Sequence, residues 1–186
     1  MHQIKPGFLS SDNWRLDGPN LENTLFHVRL LGTNDKEHRI RNSAFNMLVQ
    51  TMGMPATLTL ELTDKLKIKD STKELLTIPF EQIDFVQFGI LDLMGGVMTV
   101  PTSSFYLLVY VQQKDGQAIG LVDNALGHYP KYKELLSGHD LTIEDPFDIE
   151  HVITLLDDSG NAKLYNYLQK NYTDLAIKAG YQEAMK

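Results

Sequence analysis

The sequence predicts an α+β fold in which an antiparallel sheet is followed by helices. Residues 57–123 combine alternating apolar positions, strand-length apolar runs and turn residues, which is the pattern of β structure. Residues after 123 instead repeat their apolar side chains at helical spacing. The chain has 186 residues, of which 42% are hydrophobic and 22% charged, so it can bury one core. Strands that are segregated from helices favour antiparallel pairing over alternating βαβ units.

Residues 1–54 are predicted to form an N-terminal extension that is irregular and then helical. Pro, Gly and Ser residues interrupt residues 1–20. A helical spacing of apolar residues follows, ending at Gly32. Its members are Leu21, Leu25, Val28 and Leu31. A strand over Thr24–Leu31 explains these residues nearly as well, and residues 36–52 have the spacing of a further helix.

The β region begins with strict alternation over Thr57–Thr63, which places the leucines on one face of a half-buried strand. The alternation of apolar and polar residues continues through Leu66 and Ile68. Asp64 and Lys65 therefore form either a turn or an exposed part of the strand. A second β stretch covers residues 75–88, where Pro79 cannot donate to a ladder and marks an edge or a bend.

A hairpin is predicted between residues 105–113 and 117–123, because Asp115-Gly116 supports the positive φ of a tight turn. The glycines at positions 89, 95 and 96 lack the flanking Lys-Ser or Lys-Thr of a phosphate loop. We interpret them as a turn, or as a close backbone approach, between strands.

Helices are predicted after the hairpin. A short one opens at Pro130 and ends at Gly138, and a short strand follows at residues 141–143. Asp145-Pro146 is typical of a helix start, with Asp as the N-cap, and this helix should run to about Leu156. The last helix lies within residues 158–186. Its apolar stripe consists of Leu164, Leu168, Tyr172, Leu175 and Ala179.

The net charge comes from one segment. Lys and Arg total 17 and Asp and Glu total 24, so the formal net charge is 17 − 24 = −7. Residues 140–158 hold seven acids and no Lys or Arg, which leaves the rest of the chain neutral. Three of these acids suit a helix N-terminus. The four without a local role, Asp140, Glu144, Asp157 and Asp158, are candidates for an interaction surface.

Tyr165 and Tyr167 are added to that candidate surface, because they lie off or at the border of the apolar stripe of the last helix. The alternative is that a broad stripe packs them on the sheet.

Two other side-chain groups suggest ligands. Asp148 and His151 share a helix face, and with His139 they could hold a divalent ion in a metal-dependent enzyme that uses residues 140–151. The alternative is a carboxylate that offsets the helix dipole and a solvated histidine. Lysines alternate at positions 65, 67 and 69, which indicates either an anionic-headgroup patch of a peripheral membrane protein or a solvated strand face protected from edge pairing.

Several functional classes lack their signatures. Neither a phosphate-binding glycine loop nor a G-x-S-x-G nucleophile elbow occurs. Cys is absent, which removes disulfides, thiolate ligands and cysteine nucleophiles. No basic block, secretory signal or membrane-length apolar run is found. We therefore predict a cytoplasmic protein without cofactor, nucleic-acid partner or membrane association.

The middle of the chain resembles the bacterial pleckstrin-homology-like domains. The resemblance covers residues 55–157 and rests on the pattern Ile-Pro-Phe-x-x-Ile-x-x-Val that begins at Ile78, between the alternating strand and the hairpin. It implies a bent antiparallel sheet or partly open barrel capped by a helix, and use as a binding or scaffolding module. It supplies no ligand and no site residue. The function predicted from the sequence is thus a non-catalytic binding or protein-interaction module, with self-association as one form of partner.

Overall fold

The computed structural model describes residues 1–9, 24–33, 58–97, 100–155 and 162–181, and it shows an α+β fold. One sheet contains eight strands, and the described helices follow its seventh strand. The strands are β1 (Thr24–Leu30), β2 (Leu58–Leu62), β3 (Lys65–Asp70), β4 (Lys73–Pro79), β5 (Ile83–Val97), β6 (Val100–Gln113), β7 (Ala118–Asp123) and β8 (Thr142–Glu144). The helices are α1 (Tyr129–Ser137), α2 (Ile149–Ile153) and α3 (Ala162–Lys178), with 3-10 turns at Phe80–Gln82 and Leu126–His128.

The sheet is mixed and mostly open. Its strand order is β4-β3-β2-β1-β7-β6-β5-β8, so β4 and β8 are its two edges. The pairs β1–β2, β1–β7 and β5–β8 are parallel, and the other four are antiparallel. The prediction of a purely antiparallel sheet is therefore wrong at three pairings. The α+β class itself is confirmed.

The most consequential correction concerns the N-terminal extension. The helix predicted from Leu21 is wrong, because β1 occupies Thr24–Leu30 and lies between β2 and β7. All of its side chains except Arg29 are buried. A central strand buried on both faces has a nearly continuous apolar run, which helical spacing also fits. The helix predicted for residues 36–52 lies outside the described residues.

The strands β2, β3 and β4 form two consecutive hairpins. Thr63 and Asp64 form the turn between β2 and β3, which answers the question left open at that position. The lysine strand β3 is paired on both sides, so its lysines do not protect a sheet edge as one interpretation required. The edge is β4, which ends at Pro79 and passes into a 3-10 turn, as the proline predicts.

The longest strands, β5 and β6, form one antiparallel hairpin. Gly89, Gly95 and Gly96 all lie within β5, so the predicted turn there is wrong. Gly89 does mark a close approach, because a Cβ at this position would lie 1.9 Å from the Tyr181 hydroxyl oxygen. The predicted hairpin from β6 to β7 is confirmed, and Gly116 at its turn has a φ of 90°.

The helices confirm some predicted boundaries and correct others. The first, α1, ends at Gly138 as predicted. The second, α2, begins at Ile149 rather than at Pro146, because Asp148 adopts a left-handed conformation with φ 53°. Asp145 still caps it, since its Oδ2 accepts a hydrogen bond from the Ile149 N–H at 2.8 Å.

The end of α3 directs a large side chain into the core. Gly180 has a φ of 77°, its N–H donates to the Ile177 carbonyl, and the Tyr181 N–H donates to the Ala176 carbonyl. These two bonds define a Schellman motif, which needs glycine at the left-handed position. The chain therefore reverses after α3 and buries Tyr181, which is 1% exposed, edge-on against Phe147.

Candidate interaction site

The structure describes four of the six residues of the predicted acidic and aromatic surface. Asp140 is exposed, Glu144 is partly buried, and Asp157 and Asp158 lie outside the described residues. Tyr165 is 5% exposed and packs edge-on against Phe105. Tyr165 therefore belongs to the core rather than to a partner surface. Tyr167 is half-buried and packs against the core.

Glu144 has a role that its sequence neighbourhood did not show, because it anchors the N-terminal segment. Its Oε2 accepts hydrogen bonds from the His2 N–H at 2.8 Å and from the Gln87 amide at 3.0 Å. Its Oε1 lies 3.0 Å from the His2 ring nitrogen Nδ1. The Gln87 amide also donates to the His2 carbonyl, and the His2 ring stacks on Phe85. Ile4 is then buried over the sheet.

The hydrogen bonds at Glu144 make it a pH-dependent contributor to stability. Burial alone would raise the pKa of Glu144, but hydrogen bonds from the His2 backbone, the Gln87 amide and the His2 ring outweigh burial and lower that pKa. A carboxyl group whose pKa is lower in the folded chain stabilises the fold above its unfolded pKa, here 4.5. That contribution is lost as the pH falls through the folded pKa.

We expect Glu144→Gln to lower the free energy of unfolding by about 1–2 kcal/mol at pH 7, because it weakens charge-assisted hydrogen bonds. Urea unfolding at pH 7 and at pH 3 measures the effect, and the difference from the parent should shrink at the lower pH. Glu134→Gln is the control, because Glu134 forms an exposed pair with Lys131. Equal stability of Glu144→Gln and parent at pH 7 would contradict the anchoring role.

The region proposed for a metal ion does not assemble one. The His139 ring lies against Phe80 with 3.9 Å between centroids, while Asp148 and His151 are exposed on α2 and its N-cap. Within the described ranges, no group of three or more His, Cys, Asp and Glu side chains could hold a metal ion. His128 points elsewhere, into a buried cluster.

That buried cluster is the polar feature that the sequence did not reveal. Asp123, at the end of β7, is 1% exposed and accepts hydrogen bonds from the Ala125 N–H at 2.9 Å and the Tyr132 hydroxyl at 3.0 Å. The His128 Nδ1 lies 3.1 Å and 3.0 Å from its two carboxylate oxygens. In the sequence, the intervals of five and four residues between Asp123, His128 and Tyr132 are the pattern that could have indicated this cluster. The cluster joins β7 to α1, and its burial gives it a structural role.

A surface pocket of about 340 Å³ lies beside the 3-10 turn at Phe80–Gln82 and the β6–β7 turn. Its lining is polar and holds no aromatic side chain. The lining residues are Glu81, Gln82, Gln113, Lys114 and Asp115. Two acids and one lysine thus line an open surface, and the lining has no Ser, Thr, Cys or His side chain.

At one end of the sheet, the outer edge of the long strand β5 is covered by other parts of the chain. The short strand β8 pairs with Phe85, Val86 and Gln87 of β5. Beyond it, the Tyr172 hydroxyl of α3 donates to the Ile90 carbonyl at 3.1 Å. Burial raises the pKa of Tyr172 to about 12, so the hydroxyl keeps its donor proton. A strand and a helix thus cover this edge, as proteins commonly do.

The opposite edge, β4, has no such cover in the part of the chain that the structure describes. No described strand pairs with β4 on the side away from β3. Its side chains Lys73 and Glu74 are exposed, and Leu75, Leu76 and Thr77 are partly buried. We call the side of β4 away from β3 the open edge.

The hydrogen-bond register identifies which backbone groups of β4 face outward. The Lys65 carbonyl accepts a bond from the Thr63 N–H, so the backbone of Lys65 faces β2. Lys67 is two residues further along β3, so its backbone also faces β2. It lies opposite Thr77. Thr77 is therefore at a non-hydrogen-bonded position, and its N–H and C=O point away from β3. Pro79 agrees with this register, because it is opposite Lys65 and has no N–H to donate.

The comparisons with known proteins give no further guide. No protein-family model matches the sequence, and neither curated proteins nor solved structures gave a match. None of the described helices is both long enough and apolar enough to cross a membrane.

Proposed function

We propose that the chain is a non-catalytic protein-interaction module that binds an extended segment of another protein by strand addition at the open edge of β4. The carrying observation is the difference between the two edges of the sheet. Tyr172 and the three-residue strand β8 cover the outer edge of β5, whereas β4 directs the N–H and C=O of Thr77 away from the sheet. Outward backbone groups on an edge strand are the template that strand-addition domains use.

The length of the proposed contact is limited at both ends. The ladder between β3 and β4 is irregular at Ile68/Lys69, so Leu75 interrupts the regular pairing. Pro79 ends β4 and supplies no N–H. A bound strand would therefore pair around Thr77 over only a few residues, which suits a transient interaction rather than a permanent one.

Other parts of the sequence prediction are consistent with this proposal and remain predictions. The resemblance of residues 55–157 to pleckstrin-homology-like domains implies a binding or scaffolding use. The lack of cysteine favours a cytoplasmic location. The alternative of a peripheral membrane protein depends on the lysines of β3, and binding of the chain to phosphatidylserine vesicles would favour it over strand addition.

The test is a selection of random peptides displayed on phage against the immobilised full chain. We expect peptides that bind the parent to bind Thr77→Pro on the order of tenfold more weakly, because proline removes the outward N–H and its hydrogen bond. Thr77→Ser is the matched control, since it keeps both that N–H and the side-chain hydroxyl, and its affinity should stay within about threefold of the parent.

Circular dichroism and thermal unfolding must show that Thr77→Pro is folded, which the edge position of β4 favours. The proposal is wrong if no selected peptide distinguishes Thr77→Pro from Thr77→Ser. Selected peptides that lose binding only when α3 or the N-terminal segment is changed would also contradict it.

A further inference from the structure

We propose that the strand bound at β4 carries an acidic side chain opposite Thr77, held jointly by the Lys67 ammonium and the Thr77 hydroxyl. This inference rests on the proposed function and adds the chemistry of the partner segment. It follows from three features of the β3–β4 ladder: the position of Lys67, the state of the Thr77 hydroxyl and the charges beside them.

The position of Lys67 in the ladder brings the open edge within reach of its side chain, although its ammonium now lies beside Asp64. Lys67 and Thr77 lie directly opposite each other at a non-hydrogen-bonded position, where facing side chains are closest. Both side chains leave the sheet on the same face. Threonine is short, so the long lysine side chain can extend over it to a residue on the next strand. That next strand is the one that the open edge would bind.

The Thr77 hydroxyl is a buried polar group that makes no hydrogen bond to the described residues. Among the described residues, its oxygen Oγ1 has no hydrogen-bond partner although it is shielded from solvent. A buried hydroxyl without a partner is unfavourable, and a carboxylate beside it would accept its proton. A carboxylate on a strand added beside β4 would therefore supply an acceptor to this hydroxyl and a counter-charge to Lys67.

The charged side chains around Lys67 and Thr77 leave the Lys67 ammonium able to pair with an incoming carboxylate. Its neighbour Lys69 pairs with Glu61 at 2.7 Å, so that acid is already used. In the described part of the chain, the carboxylate that pairs with Lys67 is Asp64, at 3.6 Å and 68% exposed. An exposed pair of this kind contributes little and exchanges easily. An incoming carboxylate that is shielded by the added strand would compete well for the Lys67 ammonium.

The same geometry disfavours a second copy of the chain as the occupant. A two-fold pairing of β4 with β4, centred on Thr77, would place a threonine opposite Thr77 and bring the Lys67 side chains of both copies toward each other. The two threonine hydroxyls could then hydrogen-bond to each other, but the lysines would repel and neither ammonium would gain a counter-charge. An acidic segment of a different protein meets both needs.

The experiment compares peptides selected on the parent, on Lys67→Glu and on the control Lys131→Glu. Lys131 is exposed on α1, whose Tyr129 packs edge-on against Phe88 of β5, and β5 lies far from β4 in the strand order. We expect Asp or Glu to be enriched at one position in the parent and control pools, and Lys or Arg to replace it in the Lys67→Glu pool. Replacing that acid by its amide should weaken binding to the parent on the order of tenfold, and should strengthen binding to Lys67→Glu, where the acid faces a like charge.

The outcomes separate this inference from the proposed function. Peptides that depend on the Thr77 N–H but keep their acidic preference in Lys67→Glu would overturn the inference alone. Peptides that depend on Thr77 and show no charge preference would do the same. If no peptide is sensitive to Thr77→Pro, both proposals fail. Concentration-dependent dimers that Thr77→Pro abolishes, seen by light scattering, would replace the acidic partner with a second copy.

Discussion

Asp123→Ala is expected to lower the free energy of unfolding by about 3–5 kcal/mol, the largest effect of any polar substitution in the described residues. The Asp123 carboxylate is 1% exposed and accepts bonds from the Ala125 N–H and the Tyr132 hydroxyl. It also lies within 3.1 Å of the His128 Nδ1. Removing it leaves buried donors without their acceptor, which costs far more than a lost surface contact. Urea unfolding followed by circular dichroism measures the change.

Two further variants identify the cause of that loss. Asp123→Asn keeps the volume but replaces one acceptor by a donor, so most of the destabilisation should remain. Asp84→Ala is the matched control, because Asp84 is exposed on β5, and its effect should stay below about 0.5 kcal/mol. A stable Asp123→Asn would contradict this account, because it would show that the cluster does not need two acceptor oxygens at residue 123.

The second large effect concerns the contact between Tyr181 and Gly89. Tyr181→Ala should cost about 3–5 kcal/mol, because it removes a fully buried aromatic side chain. Gly89→Ala should cost about 1–3 kcal/mol, because its Cβ would lie 1.9 Å from the Tyr181 hydroxyl oxygen and 2.6 Å from Cζ. In the Tyr181→Ala background the same glycine substitution should cost less than about 0.5 kcal/mol, since the clashing atoms are gone.

Gly138→Ala is the control for this double-mutant cycle. Gly138 has an ordinary φ of −71°, and a Cβ there would lie 3.7 Å from the Leu135 carbonyl oxygen. Its effect should be within about 0.5 kcal/mol in both backgrounds. Additive costs for Gly89→Ala and Tyr181→Ala would mean that the two residues do not share the contact on which the docking of the α3 end depends.

The features that could be predicted from the sequence depend on local geometry. Asp115-Gly116 forms its turn because glycine accepts a positive φ, and α1 ends at Gly138 for a similarly local reason. Pro79 marks the edge strand because it has no N–H. Each of these local conformations is determined by one or two residues and their immediate neighbours.

The features that could not be predicted depend on partners distant in the chain. The segment of β1 is a strand because it pairs with β2 and β7. Its apolar run alone is also compatible with a helix. Glu144 is explained by His2, which is 142 residues away. The candidate site is of this kind: the lysine alternation was visible, but only the strand order shows that β3 is internal and that β4 is the edge.

The most direct measurement of strand addition is residue-resolved amide exchange of β4, with and without a selected peptide. In the free chain, the Thr77 amide should exchange faster than those of Leu76 and Ile78, whose positions opposite Ile68 and Leu66 face β3. Adding the peptide should slow exchange at Thr77 while α3 stays unchanged. Slow exchange at Thr77 in the free chain, or peptide protection that appears elsewhere and not on β4, would contradict the open edge and the function proposed for it.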